Sequence, residues 1–398
     1  MLTQDALHNP PQGWDRRGLP GWTYFNEELY QLEQEALFRR QWQLACHISD
    51  IPDPGDFITF DIADERALIV RGKDGVVRAF HNLCRHRGSR VVASTRGHCK
   101  HALTCPYHGW AFGLDGHLIG PAKPGSFPDL DKVEWGLKSV EMEIWQGFVF
   151  VRFKPSAQPS VARILARFEA EVALYNPEIY VPSQGAAPYG ETAVNWKSVR
   201  DVDNEGYHVP KAHPGLQDLY GHHYIDEPFV EGASRSVGVF NKTPNKIWSV
   251  RAYRNLLPEP TWLPESHRDA WLYIGLFPNT VMSFYPDSIN FYQDLPDGVG
   301  NTKLRGGTYR HCEESRALRA ARYLSARIDR ITSDEDQMLT IWSCEAARSS
   351  GYDGIILSDL EYGVKTYHDH LRALLPVYKL EEEPARGTLP ERNRALAA

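Results

Sequence analysis

The 398-residue chain contains no apolar run near the ~18 residues that a membrane-crossing helix needs. Its first stretch, Met1 to Asp15, is polar and lacks the apolar core of a signal peptide. Six cysteines are too few for a disulfide scaffold at this length. No Gly-x-Gly-x-x-Gly opens a strand–helix unit, so a dinucleotide fingerprint is missing. Positive charge is not in excess: the net charge is −7, which argues against nucleic acid or an anionic membrane as the main partner. No segment repeats another. These absences predict a cytoplasmic protein in a reducing compartment that meets its partners through local patches. The length predicts two domains.

Four of the side chains able to ligate a metal fall in one short stretch. Cys84-Arg85-His86-Arg87-Gly88 is followed, after a gap, by Cys105-Pro106-Tyr107-His108-Gly109-Trp110. Thiolate and imidazole hold soft and borderline metals. The set can hold one zinc ion tetrahedrally, or a [2Fe-2S] cluster with both cysteines on one iron and both histidines on the other. Zinc fingers usually place two Cys on one element and two His on another. Here each motif carries one of each, so each can reach both irons. Gly88 and Gly109 let backbone approach closely, and Pro106 stiffens the second loop. The scattered Cys46, Cys99, Cys312 and Cys344 read as buried free thiols.

Around these motifs the pattern is β-rich. Phe57–Phe60, Ala67–Val70 and Val76–Phe80 are short strand-like runs, and Lys73-Asp74-Gly75 is a hairpin signal. Phe148–Val151 closes the module. Before it, Asn26–Trp42 has helical spacing, and residues 1–20 are expected to wrap over another element. After it come a linker at Pro155–Pro159 and an amphipathic helix over Val161–Leu174. A long helix is predicted over Glu313–Ser349 and a last one over Asp359–Leu375, with a frayed, charged tail after Glu381. The expected division is 1–42 as a helical segment, 43–155 as an all-β domain and 156–398 as a second domain.

His208 and His213 are five apart, about 500° around a helix, and do not share a face on a regular one. Pro210 between them disfavours helix at Val209, so a helix ending there would let the next turn bring His213 back. Two histidines and one carboxylate leave coordination positions open for dioxygen. The run Asp334-Glu335-Asp336 on the long helix is the candidate source of the acid.

The cluster motif, together with Asn195-Trp196-Lys197 and Glu205-x-Tyr207-His208-x4-His213, resembles the Rieske non-heme iron oxygenases over nearly the whole chain. The resemblance implies an α+β protein: an all-β Rieske domain plus a helix-grip (START-like) catalytic domain, an antiparallel sheet flanked by helices. It implies that Cys84, His86, Cys105 and His108 hold the [2Fe-2S] cluster. It implies mononuclear Fe(II) on His208, His213 and Asp336, with Asp334 the alternative acid. It implies a head-to-tail homotrimer in which Glu205 links His208 to the cluster-bound His108 of a neighbouring copy. NAD(P)H electrons are expected from a separate flavin and iron–sulfur reductase. The likeness to the choline, glycine-betaine and carnitine group favours O2-dependent hydroxylation or demethylation at an N-methyl or quaternary amine. The alternative is an aromatic acid, hydroxylated or O-demethylated, held by Arg251 or Arg305. Pocket candidates are the rings of the β-rich 270–310 stretch: Trp271, Tyr273, Phe284 and Tyr292, with Phe277, Tyr285 and Phe291 nearby.

Overall fold

The computed structural model describes residues 10–397. Two compact units emerge, Phe38–Val161 and a larger one built from Ala162 onward plus the residues before Phe38.

The smaller unit is all-β. A four-stranded antiparallel sheet has the spatial order Val77–His81, Glu65–Arg71, Asp56–Ile62, Arg96–His98. A three-stranded sheet pairs Gln43–His47 and Glu141–Trp145 on either side of Phe148–Arg152. Two-residue and three-residue strands at Leu103–Thr104, Ala111–Phe112 and Leu118–Gly120 form a third. The hairpin at 72–75 turns on Gly75, whose φ of +79° suits glycine. The core joins Phe57, Leu68, Val70 and Phe80 to Leu103, Trp110 and Phe112, and it includes Cys84 and Cys105.

The larger unit is organised by a seven-stranded antiparallel sheet. Its order is Val181–Thr192, Thr302–Arg310, Ser288–Pro296, Thr280–Phe284, Ala270–Leu276, Ala233–Val239, Tyr224–Asp226. Helices Pro214–Tyr220, Trp248–Leu256 and Arg316–Ala346 cover Trp271 and Tyr285 in one apolar cluster with Leu219, Tyr253, Leu324 and Ile328. The long helix starts at Ser315, whose hydroxyl accepts from the Leu318 N–H at 3.1 Å. Leu318, Ala321, Leu324, Ser325 and Ile328 are its buried residues in the first half, spaced by three and four as one helix face requires. In the second half only Thr340 is buried, so this part of the helix presents polar side chains.

Several sequence expectations change. The helix expected over Asn26–Trp42 is only Glu27–Glu33, capped by Asn26, and loosens into a π turn at Gln34–Phe38. Buried Glu33 explains the anchoring there: it accepts from Lys197 Nζ at 2.5 Å, from Trp196 Nε1 at 2.8 Å and from the Tyr378 hydroxyl. The amphipathic stretch 161–174 is three short pieces, Val161–Ile164, Ala166–Phe168 and Glu169–Ala173. The tail does not fray. Leu389–Ala397 is a helix whose Leu389 is buried and whose Asn393 accepts from the Val377 N–H at 3.2 Å. Of the N-terminal stretch, residues 1–9 lie outside the described residues. Arg17 forms an antiparallel bridge with Ile356, flanked by Gly18 N–H to Ile355 O at 3.1 Å. No helix among the described residues is long and apolar enough to cross a membrane.

Candidate metal centres and cavity

The Cys84 and Cys105 loops share one backbone design. Each cysteine carbonyl accepts from the glycine four residues on: Gly88 N–H at 2.9 Å and Gly109 N–H at 3.1 Å. Each cysteine N–H donates to the carbonyl five residues on, Ser89 at 2.7 Å and Trp110 at 2.8 Å. Both glycines have positive φ, +75° and +67°, where a side chain would be strained. The histidine sits one place later in the second loop, yet the two rings meet, with centroids 4.7 Å apart. Trp110 stacks on His86 at 5.2 Å, and Phe127 meets His86 edge-on at 5.7 Å. Buried Asn82 pins the exit of the first loop. Its amide oxygen accepts from Val91 N–H at 2.9 Å and Val92 N–H at 3.0 Å, and its nitrogen donates to Val92 O at 2.9 Å.

The two thiols are buried side by side, His86 is half-buried and His108 is exposed. Burial, with Cys105 alongside, pushes the Cys84 thiol up to about 11. Burial and the neighbouring His108 and Arg87 lower the pKa of His86, which favours the neutral ring a metal needs. His86 Nδ1 is buried without a hydrogen-bond partner. Two adjacent sulfurs in an apolar setting and an orphaned ring nitrogen are the surroundings a metal would satisfy.

The second set is assembled from distant segments. Asn195 caps Trp196–Asp203 by accepting from Lys197 N–H at 3.0 Å, and this helix ends at Asn204. A new turn, Val209–Ala212, then begins with Pro210 in its first positions. Pro210 therefore starts a helical turn where the sequence suggested an ending. His208 stands just before the turn and His213 just after it, which aims both rings inward.

His208 Nε2 and His213 Nε2 are 3.0 Å apart. Asp336 Oδ1 lies 2.9 Å from the His213 nitrogen and 3.7 Å from the His208 nitrogen. The opposite ring nitrogens are both held by carboxylates: His208 Nδ1 by Glu205, and His213 Nδ1 by Glu335 Oε2 at 2.9 Å. With protons assigned to both Nδ1 atoms, each Nε2 presents a lone pair. Three acceptors then converge, and buried Asp336 Oδ1 has no donor despite its close neighbours. Facing lone pairs at these distances call for a cation among them. Two nitrogens and one oxygen with open positions suit Fe(II). Burial disfavours a charged His208, but Glu205 and then Asp336 outweigh it and raise its pKa.

Glu335, the middle acid of the run 334–336, does not point at the three convergent atoms but stands behind His213, a role the sequence does not reveal. Successive helix residues point about 100° apart, so one turn can offer both a ligand and the acid behind a ligand. Asp334 lines the adjoining cavity but does not join the three convergent atoms. Glu205 also accepts from the backbone N–H groups of Tyr207 and, at 3.2 Å, His208.

The cavity beside this triad measures about 760 Å³, within the range for small-molecule sites. Tyr273, Tyr285, Phe291 and Tyr292 line it, as do Asp203, Asp294 and Asp329. Two of the four predicted pocket rings do not. Phe284 is on the opposite face of its strand from cavity-lining Val281 and Ser283, and packs against Tyr175 at 5.5 Å. Trp271 shares the face of Tyr273 but lies under the helices. It stacks on Tyr285 at 4.1 Å and donates to the Tyr253 hydroxyl at 2.9 Å. Arg251 and Arg305 also lie off the cavity wall. Arg251 donates to the Lys246 carbonyl at 3.0 Å, and Arg305 to Gln293 at 2.8 Å. The cavity's own Arg200 is held by Asp203 at 2.9 Å and by Asp294.

The all-β unit bears a Cys2His2 pair of loops, and the α+β unit bears a two-His, one-carboxylate triad. Residues 41–134 match the Rieske [2Fe-2S] domain, and residues 180–376 match the ring hydroxylating alpha subunit catalytic domain. The chain belongs to the Rieske-type ring-hydroxylating alpha-subunit family, whose catalytic domain uses mononuclear iron. It is similar to the carnitine monooxygenase oxygenase subunit of Escherichia coli K12, 34% identical over 218 residues, 55% of this chain and 57% of that one. The chlorobenzene dioxygenase subunit alpha of Cupriavidus sp. PS12 is 42% identical over 135 residues, 34% of this chain and 30% of that one. The chain thus spans little more than half the length of the first relative and less of the second. A crystal structure of a quaternary ammonium Rieske monooxygenase shares the fold, with a TM-score of 0.75 at 24% identity, covering 90% of this chain and 95% of the other.

Proposed function

We propose that this chain is the terminal oxygenase of a multicomponent system that hydroxylates a carbon bonded to a quaternary or N-methylated nitrogen. Cys84, His86, Cys105 and His108 hold the cluster, and His208, His213 and Asp336 hold the iron. When bound, the cluster supplies single electrons and the iron activates dioxygen. The net change balances as one C–H bond, O2, two electrons and two protons giving C–OH and water. On an N-methyl group the product carbinolamine breaks its C–N bond to release formaldehyde and the demethylated amine.

The chain's residues carry distinct duties. Glu205 and Glu335 orient the two imidazoles and fix which nitrogen faces inward. Trp110 and Phe127 pack against His86 and shield that side of the cluster. Electrons come from NAD(P)H through a separate reductase. In a head-to-tail trimer, exposed His108 of one copy would approach Glu205 of the next.

The observation that favours an amine over an aromatic acid is the cavity's charge. Its acids outnumber its two arginines, Arg200 and Arg330, and Arg200 is already shared between two of those acids. A carboxylate substrate would meet net repulsion there, whereas tyrosine rings attract an alkylammonium. Oxygen uptake with a panel of betaines and aromatic acids, driven by a surrogate reductase, tests this. Uptake and formaldehyde release with a betaine are expected. Uptake with aromatic acids alone would overturn the substrate assignment.

A further inference from the structure

Asp329 lies on the long helix seven residues before Asp336, and both line the cavity. Seven steps turn a helix through about 700°, so the two carboxylates share a face, and they rise about 10 Å. Asp329 accepts from the Tyr285 hydroxyl at 3.2 Å. That hydroxyl also contacts the Tyr273 hydroxyl at 3.2 Å, and Tyr273 contacts Tyr220 at 3.0 Å. Among the described residues no Lys, Arg or His pairs with Asp329. Its neighbours differ: Asp203 and Asp294 share Arg200, and Glu227 is held by Arg235 at 3.1 Å. Burial, opposed only by Tyr285, raises Asp329 to about 8. Such an acid, walled by rings and paired with no cation of its own chain, gives up its proton when a cation enters and becomes its counter-ion.

The spacing fits one geometry. A carbon within about 4 Å of the triad, a C–N bond of about 1.5 Å, and an approach of about 4 Å between the methylated nitrogen and a carboxylate oxygen fill the ~10 Å between the two acids. We propose that Asp329 selects a cationic substrate: it pairs with the ammonium nitrogen, the Tyr273 and Tyr285 rings flank the N-methyl groups, and the reacting carbon is turned toward His208, His213 and Asp336. This rests on the amine reading above and names the residue that enforces it.

The test is equilibrium binding by calorimetry to the metal-loaded, unreduced protein, so that turnover plays no part. The probes are choline and its neutral isostere 3,3-dimethylbutan-1-ol, which share a shape and differ by one charge. Wild type is expected to bind choline about 10- to 100-fold more tightly than the alcohol. Asp329→Asn should remove most of that preference by weakening choline alone, and Asp329→Glu should restore part of it. An Asp329→Asn variant that keeps both its cluster spectrum and its full preference for charge overturns the assignment while leaving the amine reading intact. Wild type showing no preference for charge overturns both.

Discussion

The two candidate metal centres are built in opposite ways. At 84–110 the donors sit in short motifs, and the backbone of each motif closes on itself through the same pair of hydrogen bonds. At His208, His213 and Asp336 the acid comes from over a hundred residues downstream, and the ring orientations depend on Glu205 and Glu335. The first centre is held by main chain and buried core, the second by side chains holding side chains. The first should therefore fail only when a donor or its loop is removed, and the second should be sensitive to carboxylates that never touch metal.

The largest effects come from the donors themselves. Cys105→Ala should abolish the cluster's visible absorption and acid-labile sulfide while one mononuclear iron per chain remains. His213→Ala should do the reverse, with turnover falling to background in both. A variant losing both centres together would show that the two are not independently built.

Next come the supporting acids. Glu335→Gln leaves His213 Nδ1 without its carboxylate and should weaken iron binding about 10- to 100-fold. Metal analysis after graded chelation would measure this, and the cluster spectrum should not change. Glu205→Ala should cost a similar factor at His208. It should also block transfer from pre-reduced cluster in a single-turnover experiment once excess iron restores occupancy. Full single-turnover yield in that variant would leave Glu205 as a positioning residue only.

The contrast between the centres also explains what could be read from sequence. The candidate cluster donors stand out in the sequence because their chemistry and spacing are local. The triad required knowing that a distant helix faces the 208–213 turn, and only the resemblance implied that. Glu335 was hidden because a run of three acids does not say which members point inward. Alternation along a strand separates its faces, which is why Tyr273 and Tyr292 reach the cavity. It does not say how far along the strand the cavity runs, and Trp271 lies beyond its end. The broken helix at 161–173 and the folded 389–397 tail show tertiary packing overriding periodicity and charge.

A smaller effect tests the main-chain side of the comparison. Asn82→Ala removes three hydrogen bonds and leaves two buried N–H groups unsatisfied. A loss of about 1–3 kcal/mol is expected, seen as a lower midpoint for thermal bleaching of the cluster. Unchanged bleaching would mean that the loop exit needs no such pin.

The last effect concerns stability and pH rather than turnover. Asp329 is raised from 3.8 to about 8, chiefly by burial. Between those values the folded chain keeps a proton that the unfolded chain gives up. Folded stability therefore declines as pH climbs toward 8 and levels off above it. Asp294 and Asp226 are raised only to about 6, so their share of the slope is nearly complete by pH 6. From pH 6 to 9, Asp329→Asn should lose less stability than wild type, by about 2–3 kcal/mol. Parallel denaturation midpoints for the two proteins across that window would show that Asp329 is already ionised in the folded chain. The tyrosines around it would then be stabilising an anion rather than sharing a proton with it.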